Sequence, residues 1–324
     1  MKSCDEAAPL GTLRGAFEAT GSPSWIMRTI HCRGLDRRHG FTLDLKLGGD
    51  TVKHSLQATE AVLAEGAADI VDTDWLSIAR WRRDGFPVKA VFPYGRIMGG
   101  MVVPASSAIH QLPDLKGRRI GVVRMIDKNW LVVRAACLER HGFDPQNEAQ
   151  VSEAMSKTVL LDWLENGAID AAVLYWHLIP GLIAGGRFRQ LHDVLDLVTA
   201  IAGVNPPTTF FVCREDFIAV NPNLIRAFVA AYCDAVAVMR EDPHAWAEAV
   251  GDVESSSTER TRGLRASWDR RVCTRWGPDD LRALTGLFDR LKAIGGEDAV
   301  GGIKAIPPEM FAPAFTNYLG DVPW

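Results

Sequence analysis

The sequence lacks the features typical of membrane-spanning, nucleic-acid-binding and zinc-binding proteins. No apolar run approaches the roughly 18 residues needed to cross a bilayer, so we expect no membrane insertion. The formal net charge is −4 and the basic residues are scattered, so nucleic acid is not an expected partner. None of the six cysteines forms a CxxC pair or a zinc-ligand spacing. We therefore expect no metal site and no cofactor.

The N-terminal residues MKSCDEAAPLGTL also lack the apolar stretch of a secretory signal peptide. Two interpretations follow from this composition. Either the protein is cytoplasmic, or a leader was removed and a start methionine was added in its place. The residues alone do not separate these two cases.

What the sequence does contain is a regular alternation of short apolar strands and helices. Such an alternation is typical of α/β folds with parallel sheets, and 324 residues suggest about two domains. From Pro222 onward the chain is predicted to be helical, including a final helix over 307–319. The predicted strands are 13–17, 41–47, 69–71, 88–92, 101–103, the end of 114–123, 150–152, 171–174 and 209–213.

One segment of the sequence occurs twice in altered form, as LAEGAADIVDTDW at 63–75 and LENGAIDAAVLYW at 164–176. In each copy a helix is expected to end at a left-handed glycine, Gly66 or Gly167, before a strand begins. Polar or aromatic residues follow both strands: Asp72, Asp74, Trp75, Tyr175 and Trp176. Ligands of open α/β sheets bind outside the carboxyl ends of the strands, so the two copies predict a shared cleft. The alternative is that the motif only ends a helix.

The order of further segments resembles that of a known family. DLKGRRIGVV begins at Asp114, LENGAIDAAVLY at Leu164, and TTFFVCRED, followed by NPNLIRAFVAAYCDAV, at Thr208. This order is similar to that of the solute-binding proteins of ABC importers. The resemblance is to the group that binds alkanesulfonates, taurine or nitrate, together with the thiamine-pyrimidine-precursor-binding (NMT1/THI5-like) group. It covers about residues 12–320.

The resemblance implies a two-lobed α/β protein with the periplasmic-binding-protein fold of type II. Each lobe would be a mixed, mostly parallel sheet flanked by helices. We place the crossover between lobes at 93–100, which makes 1–99 and 212–324 lobe 1 and 100–211 an inserted lobe 2. The family further implies a hinged cleft that closes on a small-molecule ligand, a periplasmic location and a membrane permease as partner. A cytoplasmic location stays open.

The candidate ligand-binding residues fall in the loops predicted to border this cleft. They are Glu18, Ser22, Trp25, Asp50, Thr51, Asp72, Asp74, Trp75, Tyr94, Arg124, Asn129, Trp130, Tyr175, Trp176 and Thr208. Each has a structural alternative: Ser22 and Asp50 suit helix capping, Trp25 suits the core, and Arg124 suits the surface. We expect Trp176→Ala to weaken ligand binding and to leave the fold intact.

The charge of these loops decides which ligand is expected. Several acids, including Glu18, Asp72 and Asp127, would disfavour an unpaired buried anion. The aromatic residues suit a flat or cationic ligand, whereas helix N-termini and Arg124 favour an anion. The balance favours a small aromatic or nitrogenous ligand over a plain organosulfonate.

Two other functions remain open alongside transport. Enzymes on the same fold, a desulfinase that uses a cysteine after the first strand and a pyrimidine synthase, are one alternative. The corresponding loop here is EATGSPSW and contains no cysteine, so we expect no catalytic residue. A ligand sensor is the other alternative. The family often has DAAVVWEP where this chain has DAAVLYWH, which places Tyr175, Trp176 and His177 at the family's Trp, Glu and Pro.

Overall fold

The computed structural model describes residues 9–48, 61–251, 259–312 and 315. The described residues form ten strands in two five-stranded sheets. The first sheet contains β1 (Thr12–Glu18), β2 (Thr42–Gly48), β3 (Ile70–Asp74), β4 (Val88–Gly95) and β10 (Thr209–Arg214). The second sheet contains β5 (Gly99–Pro104), β6 (Arg119–Val122), β7 (Gln150–Glu153), β8 (Ala171–Tyr175) and β9 (Phe188–Asp193).

The two sheets share one topology, with strand orders β2-β1-β3-β10-β4 and β7-β6-β8-β5-β9. In the first sheet β10 runs antiparallel to both of its neighbours, and β5 does so in the second. The remaining neighbouring pairs are parallel. This confirms the predicted mixed α/β sheets, in which a single strand of each sheet is reversed.

Helices flank both sheets, and their bounds follow the caps and glycines of the sequence. The helices of the first 165 residues are α1 (Ser22–Cys32), α2 (Leu35–Arg38), α3 (Trp75–Arg83), α4 (Lys128–His141), α5 (Pro145–Glu148) and α6 (Lys157–Glu165). The later helices are α7 (Ile179–Ala184), α8 (Val194–Ala202), α9 (Glu215–Val220), α10 (Pro222–Glu241), α11 (Pro243–Val250), α12 (Glu259–Asp269) and α13 (Pro278–Ala299). Residues 61–64 are also helical.

The repeated sequence segment is a repeated structure. Gly66 and Gly167 both have left-handed φ angles, 70° and 76°, as expected of residues that end a helix. The aspartate of each copy then binds an arginine on the neighbouring parallel strand. Asp69 accepts from the backbone and guanidinium of Arg14, and Asp170 accepts from the same groups of Arg119. These anchors hold β3 beside β1 and β8 beside β6.

The two sheets are linked by short segments, 96–98 and 203–208, and by packing of the C-terminal helices. Helix α10 packs on α1 beside the first sheet, whereas α12 contacts α7 and α13 contacts α4 and α8. One core cluster therefore joins residues of both sheets, including Val71 and Ile120, to Leu287 of α13. The division of the chain into lobe 1 (1–99 and 212–324) and lobe 2 (100–211) remains a prediction.

Two predictions about secondary structure need correction. The final helix predicted over 307–319 is not formed at its described N-terminal part, where a 3₁₀ turn covers Pro308–Met310. Phe311 instead makes an isolated parallel bridge to Ala90 and is buried against Phe210 and Trp276. Strand β9 and helix α8 were also missed, since GRFRQLHDV shows no alternation of apolar residues.

Helix α10 is long and apolar enough to cross a membrane by length and composition alone. Core helices of globular domains pass the same test. Its apolar face is buried against the first sheet and its helices, with Ile225, Phe228 and Tyr232 fully covered. It is therefore a core helix of the first unit.

Candidate functional site

A cavity lies where the carboxyl ends of strands from both sheets meet. The space between its lining atoms, including the part that is open to solvent, is about 940 Å³. Asp72 of β3 and Tyr175 of β8, the strands of the repeated segment, both line it. The lining consists of Glu18, Thr20, Gly21, Ser22, Pro23, Asp72, Thr73, Asp74, Leu76, Arg80, Tyr94, Met98, Arg124, Ile126, Asp127, Lys128, Tyr175, Trp176, His177 and Thr209.

A buried carboxyl group forms one wall of the cavity. Asp72 accepts hydrogen bonds from the Glu18 backbone N–H at 3.3 Å and from the Tyr94 hydroxyl at 3.2 Å. Burial, and secondarily the nearby charge of Glu18, raises the pKa of Asp72 to about 7. The same burial raises the pKa of Tyr94 well above its usual value, so Tyr94 stays a hydroxyl donor. Asp72 can therefore accept or donate a hydrogen bond near neutral pH.

A second carboxylate, Asp74, is ionised and firmly held. It caps α3 by accepting from the backbone N–H groups of Leu76 and Ser77 at 2.9 and 3.1 Å. Its other oxygen lies 3.4 Å from the Lys128 ammonium. Burial opposes ionisation of Asp74, but the charges of Lys128 and Arg80 outweigh it and hold the pKa below its usual value. Asp74 thus both caps helix α3 and forms an ion pair with Lys128.

The opposite wall comes from the second sheet. The Tyr175 hydroxyl donates to Asp127 at 3.1 Å, and Asp127 also caps α4 through the Asn129 N–H at 2.7 Å. Burial, with the charge of Asp127, raises the pKa of Tyr175 well above its usual value. Arg124, which precedes this cap, lines the same wall. The wall therefore offers a hydroxyl, a guanidinium and an aromatic face.

Some buried polar atoms in the lining make no hydrogen bond within the described part of the chain. They are Ser22 Oγ, Thr73 Oγ1, Thr20 Oγ1, Arg124 Nε and Arg80 Nη1. Ser22 and Thr73 are 2% and 5% exposed, and buried polar groups are normally paired. Gly21 rather than Ser22 caps α1, and no side chain caps it, so capping does not explain the Ser22 hydroxyl. These atoms are suited to a polar ligand.

Gly21 is required where α1 approaches the second sheet. Its φ of 82° is left-handed, and an added Cβ would lie 3.3 Å from His177 Nδ1. A side chain at this position would be strained and would press on the His177 ring. The His177 ring packs near Trp25, Tyr175 and Trp176.

Eight predicted site residues line the cavity: Glu18, Ser22, Asp72, Asp74, Tyr94, Arg124, Tyr175 and Trp176. Asp50 and Thr51 lie outside the described residues. Arg80 and Lys128 also line the cavity, but they were not among the predicted site residues. A useful signal for Arg80 is its spacing of four from Leu76 on α3, because residues four apart share a helix face.

Three predicted tryptophans do not line the cavity, which corrects their expected role. Trp75 and Trp130 are fully buried in the core, and the Trp130 indole N–H donates to Gln146 at 2.8 Å. Trp25 packs edge-to-face on Trp176 at 5.5 Å between ring centroids. All three tryptophans lie in the first turn of a helix, on the face that packs against the core.

Asn129 and Thr208 are also buried outside the cavity lining. The Asn129 amide donates to Asp127 at 2.7 Å and packs against the backbone at Gly99, where an added Cβ would lie 2.5 Å from it. The Thr208 N–H donates to the Gly95 carbonyl at 2.9 Å in the segment joining the sheets. Thr208 supports the link between the sheets, and Asn129 packs within the second unit; neither forms a wall of the cavity.

Comparisons with known proteins place the chain in a family. A sequence profile described as NMT1/THI5 like matches residues 39–246, which is more than half of the chain. The chain belongs to the NMT1/THI5-like family. The predicted resemblance to this group is confirmed. No curated protein matches the sequence of this NMT1/THI5-like chain.

Solved structures similar to this NMT1/THI5-like chain share its architecture. The alkanesulfonate-binding protein SsuA from Xanthomonas axonopodis pv. citri bound to MOPS has a TM-score of 0.70 at 14% identity, covering 94% of this chain and 99% of that one. The aliphatic sulphonate binding protein SsuA from Escherichia coli has a TM-score of 0.70 at 15% identity, covering 92% and 91%.

A Candida albicans protein described as having the generic periplasmic binding protein fold has a TM-score of 0.62 at 13% identity, covering 89% and 93%. At these identities the likeness shows the fold. The predicted periplasmic-binding-protein fold is therefore confirmed for this NMT1/THI5-like chain.

The burial of Trp176 changes the expected effect of Trp176→Ala. The side chain is 2% exposed, packs on Trp25, and lies 5.7 Å from the Arg271 guanidinium. We expect the substitution to lower the free energy of unfolding by about 3 kcal/mol, since it leaves a cavity between the two units. Urea unfolding of this variant and of Trp176→Phe, which keeps a ring against Trp25, would measure it. Equal stability of the alanine variant and the parent would contradict the packing role.

Proposed function

We propose that this protein is the solute-binding protein of an ABC-type importer. The observation that carries this proposal is the cavity formed by strand ends of two sheets with one topology, which places Asp72 and Tyr175 in the same site. Solved structures of similar fold include proteins named as periplasmic sulfonate-binding proteins. The proposal includes a periplasmic location and a membrane permease as partner.

The chemistry of the lining favours a small, uncharged nitrogenous compound as the ligand. Asp72 accepts N–H groups when it is ionised, and the hydroxyls of Ser22 and Thr73 can bond to either donors or acceptors. Tyr94 and Tyr175 add aromatic surface suited to a flat ring. An organosulfonate is the alternative ligand, since Arg124 and the unpaired donors beside it suit an oxyanion.

The pH dependence of binding distinguishes these two ligand classes. Because Asp72 titrates near pH 7, an N–H donor that needs its carboxylate should bind up to about tenfold more tightly at pH 8 than at pH 6. A sulfonate should show the opposite trend, since an ionised Asp72 repels it. Calorimetric titration of aminopyrimidines and alkanesulfonates at both pH values would measure the trend, and Asp72→Asn should abolish it.

A thermal-shift screen of the unmodified protein tests the proposed function itself. Binding to the folded state raises the melting temperature, so at least one aminopyrimidine, amide or organosulfonate should produce a concentration-dependent rise. If no member of these classes changes the melting temperature, the proposed ligand classes are wrong. The four buried cysteines do not favour the enzyme alternative, because burial raises the pKa of Cys137, Cys213, Cys233 and Cys273. The exposed Cys32 does not line the cavity.

A further inference from the structure

Two buried lysines begin the helices that face the cavity from the second sheet. Lys128 is the first residue of α4 and Lys157 is the first residue of α6. A cation in the first turn of a helix is disfavoured by the helix dipole. Both side chains are also nearly covered, at 9% and 5% exposure, and a buried charge needs a partner. These positions are therefore costly unless an interaction elsewhere stabilises them.

Among the described residues, each lysine has a stabilising partner in a carboxylate of the first sheet, on the other side of the cavity. Lys128 Nζ lies 3.4 Å from Asp74 Oδ2, and Lys157 Nζ lies 3.1 Å from Glu18 Oε2. Asp74 and Glu18 are the last residues of β3 and β1, two neighbouring parallel strands. The same relation thus occurs twice: a lysine that begins a helix of one unit meets an acid that ends a strand of the other.

These pairs change the charge that a ligand encounters. Glu18, Asp72, Asp74 and Asp127 are the acids of the lining, and Arg80, Arg124 and Lys128 are its bases. Lys157 adds a fourth positive charge next to the lining, because its ammonium is paired with the lining residue Glu18. The same ammonium lies 4.8 Å from the centroid of the Tyr175 ring. An acid paired with an aromatic face is an attractive site for a ligand ammonium group. In this protein its own lysine occupies that position.

We propose that Lys128 and Lys157 are specificity-determining residues, which neutralise Asp74 and Glu18 across the cleft and thereby exclude ligands whose only charge is positive. The proposal rests on the cavity being the ligand site of the proposed function. The lysines neutralise two of the four acids of the lining, so a ligand of zero net charge enters without facing an unpaired Asp74 or Glu18 carboxylate. Removal of Lys157 exposes a carboxylate beside an aromatic ring and creates an ammonium site.

Methylammonium chloride is a direct probe of this inference. We expect no difference in the melting temperature of the parent protein between methylammonium chloride and sodium chloride at equal ionic strength. Lys157→Met should gain a rise of about 2–4 °C at several times its dissociation constant. Lys128→Met should gain a smaller rise, because Asp74 is also occupied by the α3 cap.

Three control variants make the result decisive. Lys116→Met removes a lysine that also lies between an acid, Glu148 at 3.0 Å, and an aromatic ring, Phe143 at 4.7 Å. It should gain no methylammonium response, because this pair is about half exposed and solvent screens it. Lys157→Arg restores a cation and should return to the parent's behaviour. The combined Glu18→Gln, Lys157→Met variant lacks the carboxylate and should lose the gained response. If Lys157→Met does not fold, Lys157→Gln, which can still donate to Glu18, replaces it.

The proposal is overturned if a folded Lys157 variant shows no methylammonium response, or if the parent already responds to the same extent. This failure is separate from failure of the proposed function. If an organic solute stabilises the parent while the variant ignores methylammonium, the proposed function stands and the lysine inference falls. If no organic solute stabilises the parent but the variant gains the methylammonium response, the lysine inference stands and the proposed function falls.

Discussion

We expect Arg271→Met to lower the free energy of unfolding by about 3–5 kcal/mol. Arg271 is fully buried, forms an ion pair with Asp193, whose side chain is 9% exposed, and donates to the Ser267 carbonyl and hydroxyl at 3.0 and 2.8 Å. The substitution removes the buried cation and leaves the Asp193 carboxylate, which is 9% exposed, with the half-exposed Arg270 as its arginine partner. A covered charge that loses its buried partner is more costly than the pair itself was favourable.

The position of this pair makes the effect global rather than local. Asp193 is the last residue of β9 in the second sheet, whereas the Arg271 carbonyl accepts from the Arg96 N–H, where the chain crosses between the sheets. The guanidinium also faces the Trp176 ring at 5.7 Å. Loss of the Arg271 side chain therefore removes two contacts, to Asp193 and to Trp176, beside a backbone hydrogen bond that joins the two units.

Arg270→Met is a matched control for this prediction. Arg270 pairs with the same Asp193 at 2.9 Å but is 44% exposed, and exposed ion pairs contribute about 0–1 kcal/mol. Urea unfolding followed by tryptophan fluorescence would compare the two variants. Equal losses in stability would show that burial of Arg271 is not what makes its ion pair important. Arg271→Lys should fall between the parent and Arg271→Met, since it keeps the charge but not the planar fork.

We expect Asp72→Asn to become progressively more stable than the parent as pH rises from about 4 to about 7. The folded-state pKa of Asp72, about 7, is above its value of 3.8 in the unfolded chain. Below pH 4 both states hold the proton. Between these values only the folded state holds it, so the parent loses stability as the pH rises. The full difference is up to about 4 kcal/mol, and it should be constant above pH 8.

Unfolding free energies of both proteins at several pH values would measure this difference. Asp170→Asn is the control. The hydrogen bonds from Arg119 to the Asp170 carboxylate outweigh the effect of burial and lower the pKa of Asp170. That variant should show a constant difference from the parent between about pH 5 and pH 8. A constant difference for Asp72→Asn over the same range would show that the Asp72 carboxyl is ionised throughout. Glu18 and Tyr94 are the neighbouring titratable groups.

The strand-end acids were predictable because the evidence for them is local. The glycine and aspartate of each repeated segment determine where the helix ends and the strand begins, and the following residues must then lie at the edge of a sheet. Asp72 and Tyr175 reach one cavity for this reason. Which neighbouring residue faces the cavity was less predictable, because Trp75 and Trp130 follow the same caps but point into the core.

The charge of the site was the least predictable feature. The acids of the loops suggested an acidic cleft, but Glu18 is paired with Lys157 and Asp74 with Lys128. The partners are 139 and 54 positions apart in sequence. Nothing in the local pattern of either lysine indicates such a partner. The resulting balance favours an uncharged ligand over the cation that the loops alone suggested.

The sequence by itself determined the alternation of strands and helices, the repeated unit and the family. These follow from backbone conformation and hydrogen bonds among residues a few positions apart, which a local pattern records. Only the tertiary structure decided which side chains line the cavity, which acids are neutralised and which arginine is buried. Those outcomes depend on burial and on distances between charges from separate elements, and both arise when the two sheets pack together.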